Sequence, residues 1–540
     1  MTHSGRTAWK TCGVVHVPDS VSEVAHTHQA LLESRGVRTT HGAFYTPIPV
    51  AERVVDLALA ERIVHILNPR DVPTVLDPAC GTGNFLVVAA LRLAERLVEV
   101  GVPFGEAIAH VVSTCIHGID IDPDAVDLCR RQLSALTNGA VGPEALAGNI
   151  RIGNTLTDRS TLQKFDAVIG NPPFLDRQSR QTAVTRAEQR AITASFGDGA
   201  TAINSLTNPA AIFLFAGLDL AKPDGVVAMI QPVSFLTARD AAGVRNELAG
   251  AGSIDIWMTR ERVFEAAVHV CAVVIDRAAT DDRVRVLIDG SDDVVLDPSV
   301  IREPTWAFAS ASLEEVPSVR LVIGKVLGDL CDVTADFRDQ YYGLVGHVHE
   351  NAEPEQDGMR LVTSGLIEPF RCDWGNRRTR FAKAPFLHPV VRPADLPAKM
   401  REWARARAVP KVLVATQTKV IEAVADPEGR MLPSVPVVSA VPRNPDDIWL
   451  VLAALMSPVV SLTAAHRHLG AGLSPGSIKL SASNAAHLPL PTNDATWGEG
   501  AQLARAIHDG ESDALELFGM TMCAAHGLDP DDTSVAMGWW

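Results

Sequence analysis

The eight cysteines, at positions 12, 80, 115, 129, 271, 331, 372 and 523, include no CxxC pair. That spacing argues against a zinc cluster and for unpaired thiols in a reducing compartment. No apolar run reaches the ~20 residues that a membrane span needs. The most apolar late stretch, residues 448–465, follows Asp447 and is interrupted by Pro458. Residues 1–28 lack the apolar core of a signal peptide, so nothing in them directs export. There is no internal repeat and no metal-ligand cluster. These absences lead to the expectation of a cytoplasmic, metal-free protein with no membrane contact. Positive charge is also short: 48 Lys and Arg against 64 Asp and Glu leave a net charge of -16. This is the wrong sign for a general nucleic-acid coat.

What is present is ample core. Hydrophobic residues make up 47% of the 540, which excludes wholesale disorder. The length exceeds one ordinary domain of about 150 residues. One window reverses the overall charge: between Arg371 and Val420, twelve Lys and Arg face three acids, a local excess of nine positive charges. It reads either as a solvated face or as a phosphate-facing surface, with Arg371, Arg377, Arg378, Arg380, Lys411 and Lys419 as candidate DNA contacts.

Residues 1–38 have weak periodicity and read as an N-terminal extension. Apolar residues recur at helical spacing over 49–67, after which strands and helices alternate. Strands are expected at 74–76, 115–121, 150–152, 165–170, 226–231, 253–258 and 268–275. Helices are expected at 84–100, 124–136, 210–221 and 236–248. Such alternation predicts an α/β, doubly wound, Rossmann-like domain over residues 39–285. Residues 175–208 interrupt it as a long polar loop. The acidic, turn-rich stretch 276–304 marks the expected boundary, and residues 286–540 read as an irregular α+β domain.

Two motifs point to a cofactor. Asp77-Pro78-Ala79-Cys80-Gly81-Thr82-Gly83-Asn84-Phe85 sets a glycine turn between a strand and a helix, where the backbone bends sharply and a ligand can lie on it. A dinucleotide fingerprint would need glycine at 86, where Leu86 stands. Asp77 would repel a pyrophosphate, whereas it suits the ammonium and sulfonium of S-adenosylmethionine. Gly118-Ile119-Asp120-Ile121-Asp122-Pro123 follows at the end of the next strand. Asp120 is placed to accept two ribose hydroxyls, Ile121 to wall an adenine ring, and Asp122 to cap the next helix. Asn154, after a third short strand, reads either as a partner for the adenine edge or as a turn residue.

A third motif carries the chemistry. Gly170-Asn171-Pro172-Pro173-Phe174 ends the fourth strand, where ligands of such sheets bind. The prolines turn the chain out of the sheet and offer carbonyl oxygens with no amide hydrogens. With the Asn171 oxygen they can hold an exocyclic NH2 by both hydrogens and localise its lone pair for attack on a methyl group. Phe174 offers a ring on which a planar base stacks.

Phe44-Tyr45-Thr46-Pro47 and the three motifs above, in that order, resemble the gamma-class N6-adenine DNA methyltransferases, the Taq-type group above all. The resemblance implies that Tyr45 and Thr46 pack over the methionine end of the cofactor. Arg262-Val263-Phe264-Glu265-Ala266-Ala267-Val268 is similar to the family's Val-Phe-x-x-x-x-Val pattern, which implies that Phe264 clamps a flipped adenine opposite Phe174; as a sequence feature alone, Phe264 also reads as core. The C-terminal half is similar in gross features to Taq-type target-recognition domains: Gly328-Asp329-Leu330, the basic middle, an apolar helix before Ser457-Pro458, and Leu473-Ser474-Pro475 leading to Leu488-Pro489-Leu490-Pro491. Double-stranded DNA is then the substrate, a separate restriction nuclease a candidate partner, and a monomer the expected state. Asp120 stands where the family often has glutamate, and Phe174 where it often has tyrosine.

Other readings stay open at this stage. Asn-Pro-Pro-aromatic ends also serve cytosine-N4 transfer and methylation of RNA or of a protein glutamine. A non-catalytic DNA-binding subunit is the alternative from a different class, against which Gly81, Gly83 and Asn171 stand intact.

Overall fold

The computed structural model describes residues 46–174, 186–261, 263–264, 269–279, 282–319, 321, 324–336, 338–353, 358–470 and 476–540. The expected extension 1–38, Tyr45, Arg262, residues 265–268 and Leu473-Ser474-Pro475 lie outside them. The chain forms two compact units, Met1–Pro304 and Thr305–Trp540.

Nine strands build the sheet of the first unit: β1 (Val75–Asp77), β2 (Ile116–Asp120), β3 (Ile150–Ile152), β4 (Phe165–Gly170), β5 (Ala221–Pro232), β6 (Ser253–Met258), β7 (Val270–Asp276), β8 (Val284–Ile288) and β9 (Val294–Leu296). Their order is β3-β2-β1-β4-β5-β7-β6-β8-β9. The five strands from β3 to β5 are parallel, and β7 enters antiparallel between β5 and β6. The chain moves outward from β1 to β3 and then returns to place β4 on the other side of β1. That reversal puts the carboxyl ends of β1 and β4 side by side, the crevice where ligands of open α/β sheets bind.

Helices α1 (Ile48–Ile63), α2 (Asn84–Glu99), α3 (Pro123–Leu136) and α4 (Pro209–Leu220) cover the sheet. Helix α4 is apolar nearly all round, because it is hemmed in on several sides, whereas α2 turns Arg92, Glu95, Arg96 and Glu99 outward in its later turns. The stripe Val50, Val54, Val55, Ala58, Leu59 and Ile63 of α1 is buried with α2 in one core cluster. Asp122 caps α3, accepting from the amides of Asp124 and Ala125.

Two expectations are corrected here. The sheet does not stop at residue 285: β8 pairs with β6 and β9 pairs with β8, so the acidic stretch forms an edge hairpin and the first unit runs to Pro304. Its acids Asp282, Asp289, Asp292, Asp293 and Asp297 are exposed in the turns and flanks of that hairpin, where solvent takes their charge. The helix expected over 236–248 is broken into two short 3-10 turns and Ala242–Leu248. Buried Arg245 fills the break, donating to the carbonyls of Phe235, Ala238 and Pro304.

The second unit is α+β. One four-stranded antiparallel sheet runs in the order Cys331–Ala335, Val438–Pro442, Lys411–Val414, Ala423–Asp426. A second joins Val348–Glu350, Pro389–Val391, Met359–Val362 and Met431–Pro433. Helices Ile448–Met456 and Pro458–His468 sit in its core. No single helix among the described residues is long and apolar enough to cross a membrane.

Lys411, expected on a DNA-facing surface, is fully buried and ion-paired to Asp426, which also accepts from the amides of Arg430 and Met431. Its place on a central strand excludes it from DNA contact. Removing one partner of a buried pair leaves the other charge without compensation, so Lys411→Met should cost about 3–5 kcal/mol of stability. Chemical denaturation measures this loss. A variant as stable as the parent would mean that the Lys411–Asp426 pair is not buried in the fold.

Candidate functional site

The glycine turn after β1 is shaped by two different demands. Gly83 has φ +94°, and a Cβ there would lie 2.5 Å from the Cys129 sulfur on α3. Gly81 has φ +50°, and no atom lies within 4 Å of where its Cβ would be. One glycine therefore lets α2 and α3 close up, and the other leaves the backbone bare on its outer side.

Asp120 ends β2 and closes this turn. Its Oδ2 accepts from the Gly81 amide at 2.8 Å and its Oδ1 from the Asp122 amide at 2.9 Å. Each oxygen keeps a further lone pair, so the carboxylate remains able to take two hydroxyl donors. Burial pushes its pKa upward against these amides. Ile121 beside it is 58% exposed, an apolar side chain left in the open at the expected adenine wall.

Asp77 lies deeper. It is buried, with Oδ1 accepting from the Ala79 amide at 3.0 Å. Burial is the chief cause that pushes its pKa up to about 8, the Ala79 amide opposing and the nearby Asp120 charge adding to it. The carboxylate rests against the end of β4: a Cβ on Gly170 would sit 2.6 Å from Asp77 Oδ1. Glycine at 170 is thus required by the acid at 77, and the cofactor turn and the Asn-Pro-Pro-Phe segment meet across this contact.

Asn171 follows directly. Its Nδ2 donates to Thr46 Oγ1 at 2.9 Å, and its buried Oδ1 has no partner among the described residues. Asn84, the first residue of α2, repeats the arrangement. Its Nδ2 donates to the Thr46 carbonyl at 2.8 Å, and its buried Oδ1 is likewise without a partner among the described residues. Thr46, itself buried, takes the nitrogen of both amides and leaves both oxygens as orphaned acceptors. An unmet buried acceptor costs about 1–3 kcal/mol, which a ligand bearing N–H donors can return.

The remaining expected residues divide. Pro172 and Phe174 are buried and Pro173 half-buried. Phe174 and Phe264 belong to the same buried core cluster as α1. Asn154 caps the short helix Thr155–Asp158 through its side-chain oxygen, which accepts from the Leu156 amide at 3.1 Å. The oxygen expected to meet the adenine edge is therefore taken up locally, as in the turn reading. Of the basic candidates, Arg371 pairs with Asp373, and Arg377 with both Glu368 and Asp373. Arg378, Arg380 and Lys419 are exposed and form no ion pair among the described residues.

Sequence reasoning missed Asn84 as a site residue and the way Thr46 acts on Asn171. The signal for Asn84 was its position: a buried asparagine just inside a helix, where glycine already holds the cap, has no local partner to satisfy.

Because the folded state holds Asp77 protonated until about pH 8 and the unfolded chain does so only to about its ordinary 3.8, its stabilising effect is full below the lower value and lost as pH rises through the upper one. Between these limits the protein should lose up to about 1.4 kcal/mol of stability per pH unit from this group. Urea denaturation from pH 5 to 9 should show that slope in the parent and a flatter one in Asp77→Asn. Identical slopes would mean that Asp77 is charged in the fold.

A family model described as N-6 DNA Methylase matches residues 31–302. The methylase subunit of the type I restriction enzyme StySPI of Salmonella potsdam is 26% identical over 212 residues, 39% of this chain and 35% of that protein. The type II methyltransferase M.BstVI of Geobacillus stearothermophilus is 28% identical over 162 residues, 28% of each. The chain thus spans about a third of the length of these curated relatives. Among solved structures, the type IIL restriction-modification enzyme MmeI in complex with DNA superposes with a TM-score of 0.58 at 13% identity, over 93% of this chain and 76% of that one. At such identity the likeness is one of fold, and it extends through both units. With the family match covering half of its length and every motif of the site, the chain belongs to the N-6 DNA Methylase family.

Proposed function

We propose that this protein transfers a methyl group from S-adenosyl-L-methionine to N6 of an adenine flipped out of duplex DNA. It would do so in the cytoplasm, as a gamma-class modification enzyme of a restriction-modification system whose nuclease is a separate chain. The observation that carries this reading is the Asn171 amide, held by Thr46 with its oxygen buried and unmet. An acceptor fixed in that way suits an amino group that needs orientation more than deprotonation.

The residues present fit the cofactor. Gly81 offers a bare backbone, Asp120 two remaining lone-pair positions, Ile121 an exposed apolar wall, and Asn84 an unmet acceptor. Asp77 lies beneath, where a positive ligand would draw it into its charged form. When bound, S-adenosylmethionine supplies a methyl group already activated by its sulfonium.

The chain's own part is positioning. Asn171 Oδ1 and the Pro172 carbonyl accept the two N6 hydrogens, which turns the nitrogen lone pair toward the methyl carbon. The proton that N6 gives up in exchange for the methyl group would leave to water. Extruding the base costs a few kcal/mol. Stacking on Phe174 and Phe264 returns about 1–3 kcal/mol per contact, less what it takes to uncover two buried rings.

Two results are expected. Asn171→Ala should abolish methyl transfer while cofactor binding by calorimetry persists, and methylation-aware sequencing of DNA from cells making each protein reads the difference. Continued marking by the variant would remove Asn171 from the chemistry. Asp120→Ala should weaken cofactor affinity by roughly tenfold or more, since each charge-assisted hydrogen bond contributes about 1.5–3 kcal/mol. Unchanged titrations would move the ribose site elsewhere.

A further inference from the structure

The second unit contains a cavity that neither its core nor the methyl-transfer site explains. It has a volume of about 400 Å³ and is lined by Glu368, Arg377, Thr416, Gln417, Thr418 and Glu422. The strands Lys411–Val414 and Ala423–Asp426 form a hairpin, extended by a hydrogen bond from the Ala415 amide to the Glu422 carbonyl at 2.9 Å. Thr416 to Glu422 make up its tip, and Glu368 stands on the neighbouring short strand Ile367–Glu368.

Its chemistry is mixed. Thr416 is only 5% exposed, and its buried Oγ1 has no partner among the described residues although the side chain lines the cavity. Arg377 bonds Glu368 and pairs with Asp373 at 3.0 Å. Burial, followed by the charge of Glu368, pushes Glu422 up to about 7, with Arg377 opposing. Arg378 follows Arg377 and Lys419 follows Thr418 in sequence, and both are exposed.

This arrangement excludes several occupants. A phosphate would face two carboxylates. A metal ion would meet the Arg377 guanidinium, and no group of three His, Cys, Asp or Glu side chains suited to a metal occurs among the described residues. What fits is a planar edge carrying N–H donors beside acceptors, with negative charge on either flank. The major-groove edge of a base pair has that form: cytosine N4 and adenine N6 give hydrogens to a carboxylate, and guanine O6 and N7 take them from arginine. Flanking phosphates suit the exposed cations.

Resting on the DNA-methyltransferase reading above, we propose that this cavity reads bases of the recognition sequence, with Glu422 and Thr416 meeting an amino-bearing base edge and Arg378 and Lys419 holding the adjoining phosphates. Glu422 is then a specificity-determining residue, and the exposed Gln417 lies beside the same edge.

The test compares the full-length parent with Glu422→Gln, Thr416→Val and Lys419→Ala. Each is read by methylation-aware sequencing in cells and by selection of purified protein on a random-sequence duplex pool, with thermal unfolding as the folding control. Glu422→Gln and Thr416→Val should lose roughly tenfold or more of the discrimination at one base pair while the rest of the motif stands. Lys419→Ala should keep the motif and weaken binding to all sequences alike, with a shallower salt slope. Folded Glu422→Gln and Thr416→Val proteins that select and mark the parent's motif unchanged would overturn the inference and leave methyl transfer untouched. If Glu422→Gln does not fold, Thr416→Val alone decides by the same criterion. A parent that selects a motif without marking it would sink the methyl-transfer reading, and the base-reading assignment would still be judged by the selection arm. A parent that selects nothing overturns the assignment.

Discussion

The site depends on one threonine placed where three segments converge. Thr46 precedes α1, Asn84 begins α2 and Asn171 follows β4, and the two asparagines reach it through their amide nitrogens. An asparagine amide has two chemically opposite ends, and left alone either can face a ligand. Fixing both nitrogens on the same residue fixes both oxygens outward. The arrangement is affordable only because the surrounding core is tight. Val50, Val54 and Phe85 are buried in the same cluster and hold Thr46's neighbours in register. The sheet order then supplies the rest, since β1 and β4 are adjacent and Gly170 lets the Asp77 carboxylate lie directly beneath the turn into Asn171.

The same region is poised electrostatically. Asp77 and Asp120 are both pushed toward their neutral forms by burial, and each amide that points at them works in the other direction. Burying two acids close together weakens the fold once they ionise. On the proposed reading the cofactor brings both an ammonium and a sulfonium, so what the folded chain forgoes in stability returns as affinity for a cation.

Much of this was legible in the sequence, for reasons that differ from residue to residue. The strand ends at Asp77 and Asp120 could be placed to within a residue, and that at Gly170 directly, because short apolar runs stop abruptly at an acid or a glycine, and motif spacing ordered them. Asp122 as a helix cap followed from local chemistry alone. Lys411 could not be read, since charge counting assigns a side chain to the surface without knowing that Asp426 stands opposite it in the next strand. The break at residues 236–241 was hidden for a similar reason: the carbonyls that Arg245 satisfies are made available by the bend itself. The boundary was misplaced because acidic, turn-rich composition marks an edge hairpin as readily as a linker. Thr46 was singled out by resemblance, but its partner Asn171 lies 125 residues away, and no local pattern encodes that bond.

The second unit poses a problem of charge that its geometry eases. A basic window in a protein of net charge -16 suggests a broad phosphate-binding face, yet Lys411 is buried and Arg371 and Arg377 are engaged by acids. Each cation held by an acid displaces fewer counterions, so on the proposed reading these pairings weaken attachment to DNA of arbitrary sequence. Weak background binding is an advantage to a protein that must find one motif among many competing sites, because the ratio of specific to non-specific affinity sets its occupancy. On the proposed reading, a surface whose acids orient its arginines, and which leaves hydroxyls and carboxylates in a notch between cations, would draw its affinity from base edges more than from phosphates. On the same reading, the net charge of -16 opposes every mode of DNA binding except the one in which those edges match.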